Sequence, residues 1–288
     1  MTAKEDLYTL PRNKSESSRL DLQHRLITTN AGFLLHPIIA AQLPKDAKIA
    51  DIGTGTGAWI EDLASLPTTP PTWTFHGYDI SNSQFPSHGN EKCSYSILNI
   101  LSEEMPDELI GAFDLVHLRY LILALTEKDW ETVAKNVLKL LKPGGWIQWF
   151  ESDFDIHMIQ SSPNTSSSAC TDLYSAVLEL SREQGKIIPN FGLKDVMVRN
   201  GGFVDVKEEV FATDRVSETR SETSRMALRA LRDIAKVGIK RRAEKWREDE
   251  GWVERKYEEA MREEEKGVYL RWDMHCVVGR KAFLPTTQ

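Results

Sequence analysis

With 288 residues and 32.8 kDa, the chain is long enough for one large domain with a core of its own. Hydrophobic residues make up 41% and charged residues 27%, with eight tryptophans, which excludes disorder as the main state. The 36 basic and 43 acidic side chains leave a formal charge of −7, so neither polyphosphate nor anionic lipid is an expected partner.

Cys93, Cys170 and Cys276 are odd in number and form no C-x-x-C pair, so a disulfide framework and a zinc site are both unexpected. The opening MTAKEDLYTLPRNK carries no signal-peptide run, and no stretch approaches the ~20 apolar residues that span a bilayer. These features predict a cytoplasmic protein without a membrane partner.

In chain order, residues 1–44 read as a helical cap, with Leu22, Leu26 and Ile27 on one stripe and Pro37 and Pro44 as punctuation. From Lys48 strands alternate with helices: KIADIG, a helix over 58–66, then WTFHGYD, CSYSILNI and AFDLVHL. A helix over 127–141 ends at KPGG (142–145) and leads into the strand WIQWFE. This alternation predicts an α/β fold with a mostly parallel sheet and helices on both faces.

Residues 161–168 form a polar, turn-rich loop that supplies an N-cap for a helix through Leu173, Val177 and Leu180, stopped by Gly185. GGFVDVKEEVF (201–211) and YLRWDMHCVVGRK (269–281) read as two late strands. Between them lie balanced basic and acidic side chains with Leu228, Leu231, Ile234 and Ala235 at helical spacing, a solvated helical face laced with ion pairs. Lys240, Arg241 and Arg242 add a small basic run, either part of that face or a partner patch.

The chemistry is concentrated in IADIGTGTGAW (49–59), a strand that delivers a glycine-rich turn into a helix. Glycines let the backbone turn sharply against a ligand, and the helix N-terminus offers unpaired N–H groups to an anionic end. Gly53, Gly55 and Ala58 also satisfy the dinucleotide pattern, so an NAD(P)-dependent oxidoreductase is a rival. Asp51, two residues before the first glycine, suits an ammonium better than a pyrophosphate, and Asp79 at the end of the next strand suits a ribose diol. No Gly-Lys-Ser/Thr follows, which removes a Walker-type nucleotide site.

The ordered elements IADIGTGTGAW, GYDIS, ILNI, FDLVHLRYL and LKPGGWIQWFE resemble the class I S-adenosylmethionine-dependent methyltransferases over about residues 48–152. YTLPRNKSESSRLDLQH (8–24), GFLLHP (32–37) and the Trp149/Glu151 strand end resemble the fungal UMTA/LaeA-like group of secondary-metabolite methyltransferases and regulators. The resemblance implies a Rossmann-like seven-stranded sheet and a single domain over 1–288. Its parts are a helical N-terminal cap (1–44), a cofactor-binding core (45–152), a substrate-side insertion (153–200), and C-terminal strands with charged helices (201–288).

Carried over by position, Asp51, Gly53, Thr54 and Gly55 would hold the methionine moiety of S-adenosyl-L-methionine, and Asp79 with Ile80 the ribose and one adenine face. Asn99 and Ile100 would meet the adenine amino group, and His117, Leu118 and Arg119 would lie beside the sulfonium. Glu151, His117 and His24 are the candidate general bases, and Tyr120, Trp149 and Trp272 the candidate substrate contacts. His117 and His24 also read as satisfied structural histidines, and the tryptophans as core.

The implied reaction is metal-independent in-line methyl transfer to an O, N or S nucleophile of a small organic molecule, leaving S-adenosyl-L-homocysteine. Prelude and insertion would close over the sheet's carboxyl edge. A monomer or homodimer without a nucleic-acid partner is expected. A LaeA-like regulatory protein and a cofactor-binding enzyme that rearranges its substrate without methylating it are the alternatives.

Overall fold

The apolar run after Lys48 makes β1 (Lys48–Ile52) a strand buried from its second residue, as a parallel strand covered on both faces must be. It sits between β2 (Thr74–Asp79) and β4 (Phe113–Arg119) and is parallel to both. The computed structural model describes residues 8, 10–186, 192–241 and 249–283. With β3 (Cys93–Ile97), β5 (Leu141–Ser152), β7 (Phe203–Ala212) and β9 (Asp273–Lys281) the sheet has seven strands in the order β3-β2-β1-β4-β5-β9-β7. Strand β9 is antiparallel to both neighbours, and the other pairings within this seven-stranded sheet are parallel. The strand order reverses between β1 and β4, and it is there that open α/β sheets leave a ligand crevice at their carboxyl ends.

Two apolar layers cover the faces. On one, Trp59 and Ile60 of α3 (Ala58–Ser65) join Trp146 and Phe150 of β5 under α1 (Lys14–Ala31). On the other, Trp130 and Val137 of α4 (Asp129–Leu140) meet Ile147 and Trp149, with Val196 of α6 (Leu193–Arg199) beside them. Helix α1 starts where Asn13 accepts from the Glu16 amide and stops at Gly32, whose φ of 87° only glycine adopts readily. The short α2 (Pro37–Ala40) follows, with His36 as its cap.

Three elements differ from the sequence-based expectation. The late strand 269–281 is two strands, because the chain leaves one sheet for another at Trp272. Its amide donates to Thr213 Oγ1 (3.0 Å), and its carbonyl accepts from the Thr213 amide. The first piece, β8 (Val268–Arg271), pairs with β6 (His157–Gln160), a strand that polar sequence concealed. The KPGG stretch lies inside β5, at the irregularity where its register with β4 shifts between Phe113 and Leu115. The basic run at 240–242 lies outside the residues whose side chains are described.

Helices α5 (Ser168–Glu183), α7 (Arg220–Arg241) and α8 (Glu250–Glu265) pack on one another. The N-terminus of α5 is capped from α8: Glu263 accepts from the Ala169 and Cys170 amides at 3.1 and 3.0 Å and from the Ser166 hydroxyl at 3.0 Å. Burial works against the charge, but these donors hold its carboxyl below the ordinary range. Its contribution is therefore full above the unfolded glutamate value of about 4.3 and is lost as pH falls through the lower folded one. Glu263→Ala is expected to cost about 1–3 kcal/mol at neutral pH by chemical denaturation, with the difference from the parent shrinking in acid.

Candidate functional site

The turn after β1 is shaped by three glycines in left-handed backbone, Gly53, Gly55 and Gly57, at φ 71°, 54° and 75°. The amides of Gly53 and Thr54 donate to the Tyr78 carbonyl, and that of Gly55 donates to Asp79 Oδ2 at 3.0 Å. Asp79 Oδ1 accepts from the Ser81 amide at 3.2 Å, so one carboxylate braces the turn against the end of β2. Burial pushes the Asp79 carboxyl above its usual range, partly offset by those two amides and by nearby Arg12.

Beneath the turn, Asp51 is 3% exposed and holds two partners: His117 Nδ1 at 2.7 Å on Oδ1 and the Thr54 hydroxyl at 2.6 Å on Oδ2. The His117 ring lies flat on Trp59, with centroids 3.7 Å apart and planes 5° apart. Burial lowers its pKa against the pull of Asp51, so the ring is neutral and its Nδ1–H donates to the carboxylate.

A cavity opens above these groups at the carboxyl ends of β1, β2 and β4. Asp51, Gly53, Thr54, Gly55, Asp79 and Ile80 line it from the predicted set. So do Asn99, Ile100, His117, Arg119, Tyr120 and Trp272. Asn99 carries a second duty, since its Oδ1 accepts from the Leu101 amide at 2.9 Å as an Asx turn. Trp272 Nε1 lies 3.5 Å from the Tyr120 hydroxyl, and Tyr120 itself has φ 54°.

Four predicted residues do not line it. Leu118 is fully buried on the α4 side, because alternation along β4 turns it away from His117 and Arg119. Trp149 is also fully buried there, its ring stacked on Trp130 at 5.7 Å, and is a core residue rather than a substrate contact. Glu151 shares that face of β5. Its Oε2 accepts from the Leu121 amide at 2.9 Å and its Oε1 from that of Ser152 at 3.2 Å. Burial pushes its carboxyl up to about 8 against those backbone donors, so it steadies the β4–α4 loop instead of facing a substrate. His24 has both ring nitrogens engaged, Nε2 with Asp62 at 2.8 Å and Nδ1 with Arg119 at 3.0 Å.

One wall comes from the N-terminal prelude expected to close over the sheet, through residues that the sequence did not single out, and a second from a helix that the sequence assigned to solvent. Arg19, Leu20 and Gln23 of α1 cross the glycine turn, and Arg19 is fixed by a paired contact to Glu16 (2.8 and 2.7 Å). The far wall is α7, through Met226, Ala227, Ala230, Leu231 and Ile234, a stripe at helical spacing hidden among charges. The expected lid over 153–200 contributes only Phe154 and Ile156 among the described residues, because α5 packs on α7 and α8 instead.

The region 50–147 matches the methyltransferase-domain family. Methyltransferase grgD of a Penicillium species is 41% identical over 156 residues, 52% of this chain and 53% of that one. The chain thus spans about half the length of this relative. The N-methyltransferase tcpN of Claviceps purpurea is 28% identical over 279 residues, 94% of this chain and 95% of its own. The secondary metabolism regulator laeA of Aspergillus niger is 29% identical over 52% of this chain and 37% of its own. Among solved structures, a chain of the Haloferax volcanii complex of the Trm112 methyltransferase activator with a methyltransferase aligns over 97% of this chain and all of that one. Its TM-score is 0.52 at 11% identity, a likeness of fold. Glycine turn, strand order and these relatives point the same way: residues 50–147 match a methyltransferase domain, and the chain is similar to class I S-adenosylmethionine-dependent methyltransferases, fungal ones among them.

Proposed function

We propose that the chain binds S-adenosyl-L-methionine along the β1–β2 edge of the cavity and methylates a small, largely apolar organic molecule held against α7. The carrying observation is one continuous cavity with two chemistries. Its β1–β2 end offers a left-handed glycine turn and a buried carboxylate, and its α7 end is apolar and aromatic. The donor set fits the cofactor. Backbone at Gly53 and Gly55 carries no Cβ to obstruct a close approach, Asp79 accepts from ribose hydroxyls, and Ile80 and Ile100 offer apolar contact to adenine.

When bound, S-adenosyl-L-methionine supplies an electrophilic methyl group and leaves as S-adenosyl-L-homocysteine. The chain's own residues then orient and exclude water. Asp51, clamped by His117 and Thr54, sets the floor under the amino-acid end. Tyr120, Trp272 and Phe154 wall the acceptor side together with α7. Positioning of this kind can supply up to ~7–11 kcal/mol of barrier reduction, so no strong base is obligatory. Of the three candidate bases only His117 lines the cavity, and its bond to Asp51 makes it a positioning group.

Metal-independent chemistry, a cytoplasmic site of action, a monomer or homodimer and no nucleic-acid partner complete the proposal, in keeping with the net charge of −7. Its test is intact-mass analysis of a natural-product panel incubated with deuteromethyl-labelled cofactor. A labelled methyl gain is expected. Turnover without it would mark a rearrangement, and cofactor binding without any turnover would move the function to a regulatory role.

A further inference from the structure

Where α7 walls the cavity, the described residues offer hydrogen-bond donors and no carboxylate. Of those lining the whole cavity only Asp51 and Asp79 are acidic, and both belong to the glycine-turn end. Their oxygens are taken there by His117, Thr54 and the amides of Gly55 and Ser81. Toward α7 the polar side chains are Tyr120, Ser152 and Trp272. The ends of β4, β5 and β8 bring them together. The Tyr120 amide donates to the Phe150 carbonyl on β5, two residues before Ser152. Trp272 follows β8, whose Leu270 amide donates to Ser224 Oγ of α7 at 2.9 Å, and its Nε1 approaches the Tyr120 hydroxyl at 3.5 Å.

Both hydroxyls have a proton to give. An indole N–H is a donor only, so the Tyr120 oxygen is the acceptor in its contact with Trp272. Ser152, 5% exposed, accepts from the Phe154 amide at 3.0 Å. Among the described residues no hydrogen bond runs from either hydroxyl, and burial raises the Tyr120 pKa, so the phenol keeps its proton. Tyr120 and Phe154 share a left-handed backbone, φ 54° at each, a strained conformation that persists only where its surroundings impose it. A buried donor left unanswered is costly, and an oxygen of a bound molecule answers it. An ammonium there would give up its water to a wall of donors, with no anion in return. We propose that Tyr120 and Ser152 seat an oxygen of the methyl acceptor, which is therefore an uncharged molecule bearing a carbonyl rather than an amine cation. The inference deepens the proposed reaction and rests on the α7 end being the acceptor side.

The test is ligand-observed NMR titration, in saturating S-adenosylhomocysteine, with probes of one shape: 1-indanone, indane and 1-aminoindane. They carry a carbonyl, no polar group and an ammonium at neutral pH. Tyr120→Phe and Ser152→Ala each keep most of the wall's shape, and thermal melts report folding. Each should weaken 1-indanone by about threefold to tenfold while leaving indane within about twofold of the parent. In the parent, 1-aminoindane should bind most weakly. Ala230→Trp, which fills the α7 end, should weaken every probe. Equal losses for ketone and hydrocarbon, unchanged ketone binding in both variants, or an ammonium that binds the parent tightest overturns the seat. Undiminished binding of every probe to Ala230→Trp, or no binding to the parent, overturns the acceptor side itself and the seat with it.

Discussion

Asp79→Ala is expected to weaken S-adenosylhomocysteine binding by roughly a hundredfold while leaving the protein folded, measured by calorimetry beside a thermal melt. Two losses add. The ribose hydroxyls lose an ionised acceptor, a hydrogen bond of about 1.5–3 kcal/mol. The turn also loses the brace between the Gly55 amide and the end of β2. Asp79→Asn separates them, because an amide oxygen still accepts from Gly55 but carries no charge. It should bind more weakly than the parent and more tightly than the alanine variant.

The sign of the pH effect follows from burial. The Asp79 carboxyl sits above its usual range, and hydroxyl donors favour the ionised form. Affinity in the parent should therefore be full at neutral pH and fall as pH drops through that raised value, and the asparagine variant should lack this limb. An alanine variant that binds like the parent would remove Asp79 from the ribose.

The second large effect is expected at Gly55. Its φ of 54° is left-handed, a region costly for a β-branched residue, and a Cβ there would come within 3.3 Å of Leu20 Cδ1 on α1. Gly55→Val forces either the turn or the helix above it to move, with a cost of about 1–3 kcal/mol in stability. Binding of S-adenosylhomocysteine should fall by more than a hundredfold, since Asp79 is held to this turn through the Gly55 amide. Gly55→Ala, smaller at Cβ, should show the same direction with less loss. Parent-like affinity in the valine variant would mean that the ligand does not approach the turn.

The glycine-turn half of the cavity was legible because its signals are local. A glycine turn between a strand and a helix, an acid at the end of the next strand and an asparagine at the end of the third are short-range consequences of backbone geometry. The α7 half was not. Met226, Ala227, Ala230, Leu231 and Ile234 have the helical spacing of a buried stripe, yet nothing in that spacing says whether the stripe meets a core or a cavity. The same limit misplaced Trp149 and Glu151. Period-two alternation puts them together on one face of β5, but whether that face meets α4 or the cavity depends on which helices cover it.

By itself the sequence determined the alternation of strands and helices, the left-handed glycine turn and the set of acids at strand ends, because each follows from the conformational range of a few neighbouring residues. Tertiary structure alone decided that α7 rather than the 153–200 segment walls the cavity, that Glu151 braces a loop, and that Arg119 stands without a carboxylate partner among the described residues. Those outcomes depend on contacts between residues dozens to a hundred positions apart, where packing of whole layers chooses among faces that are locally equivalent.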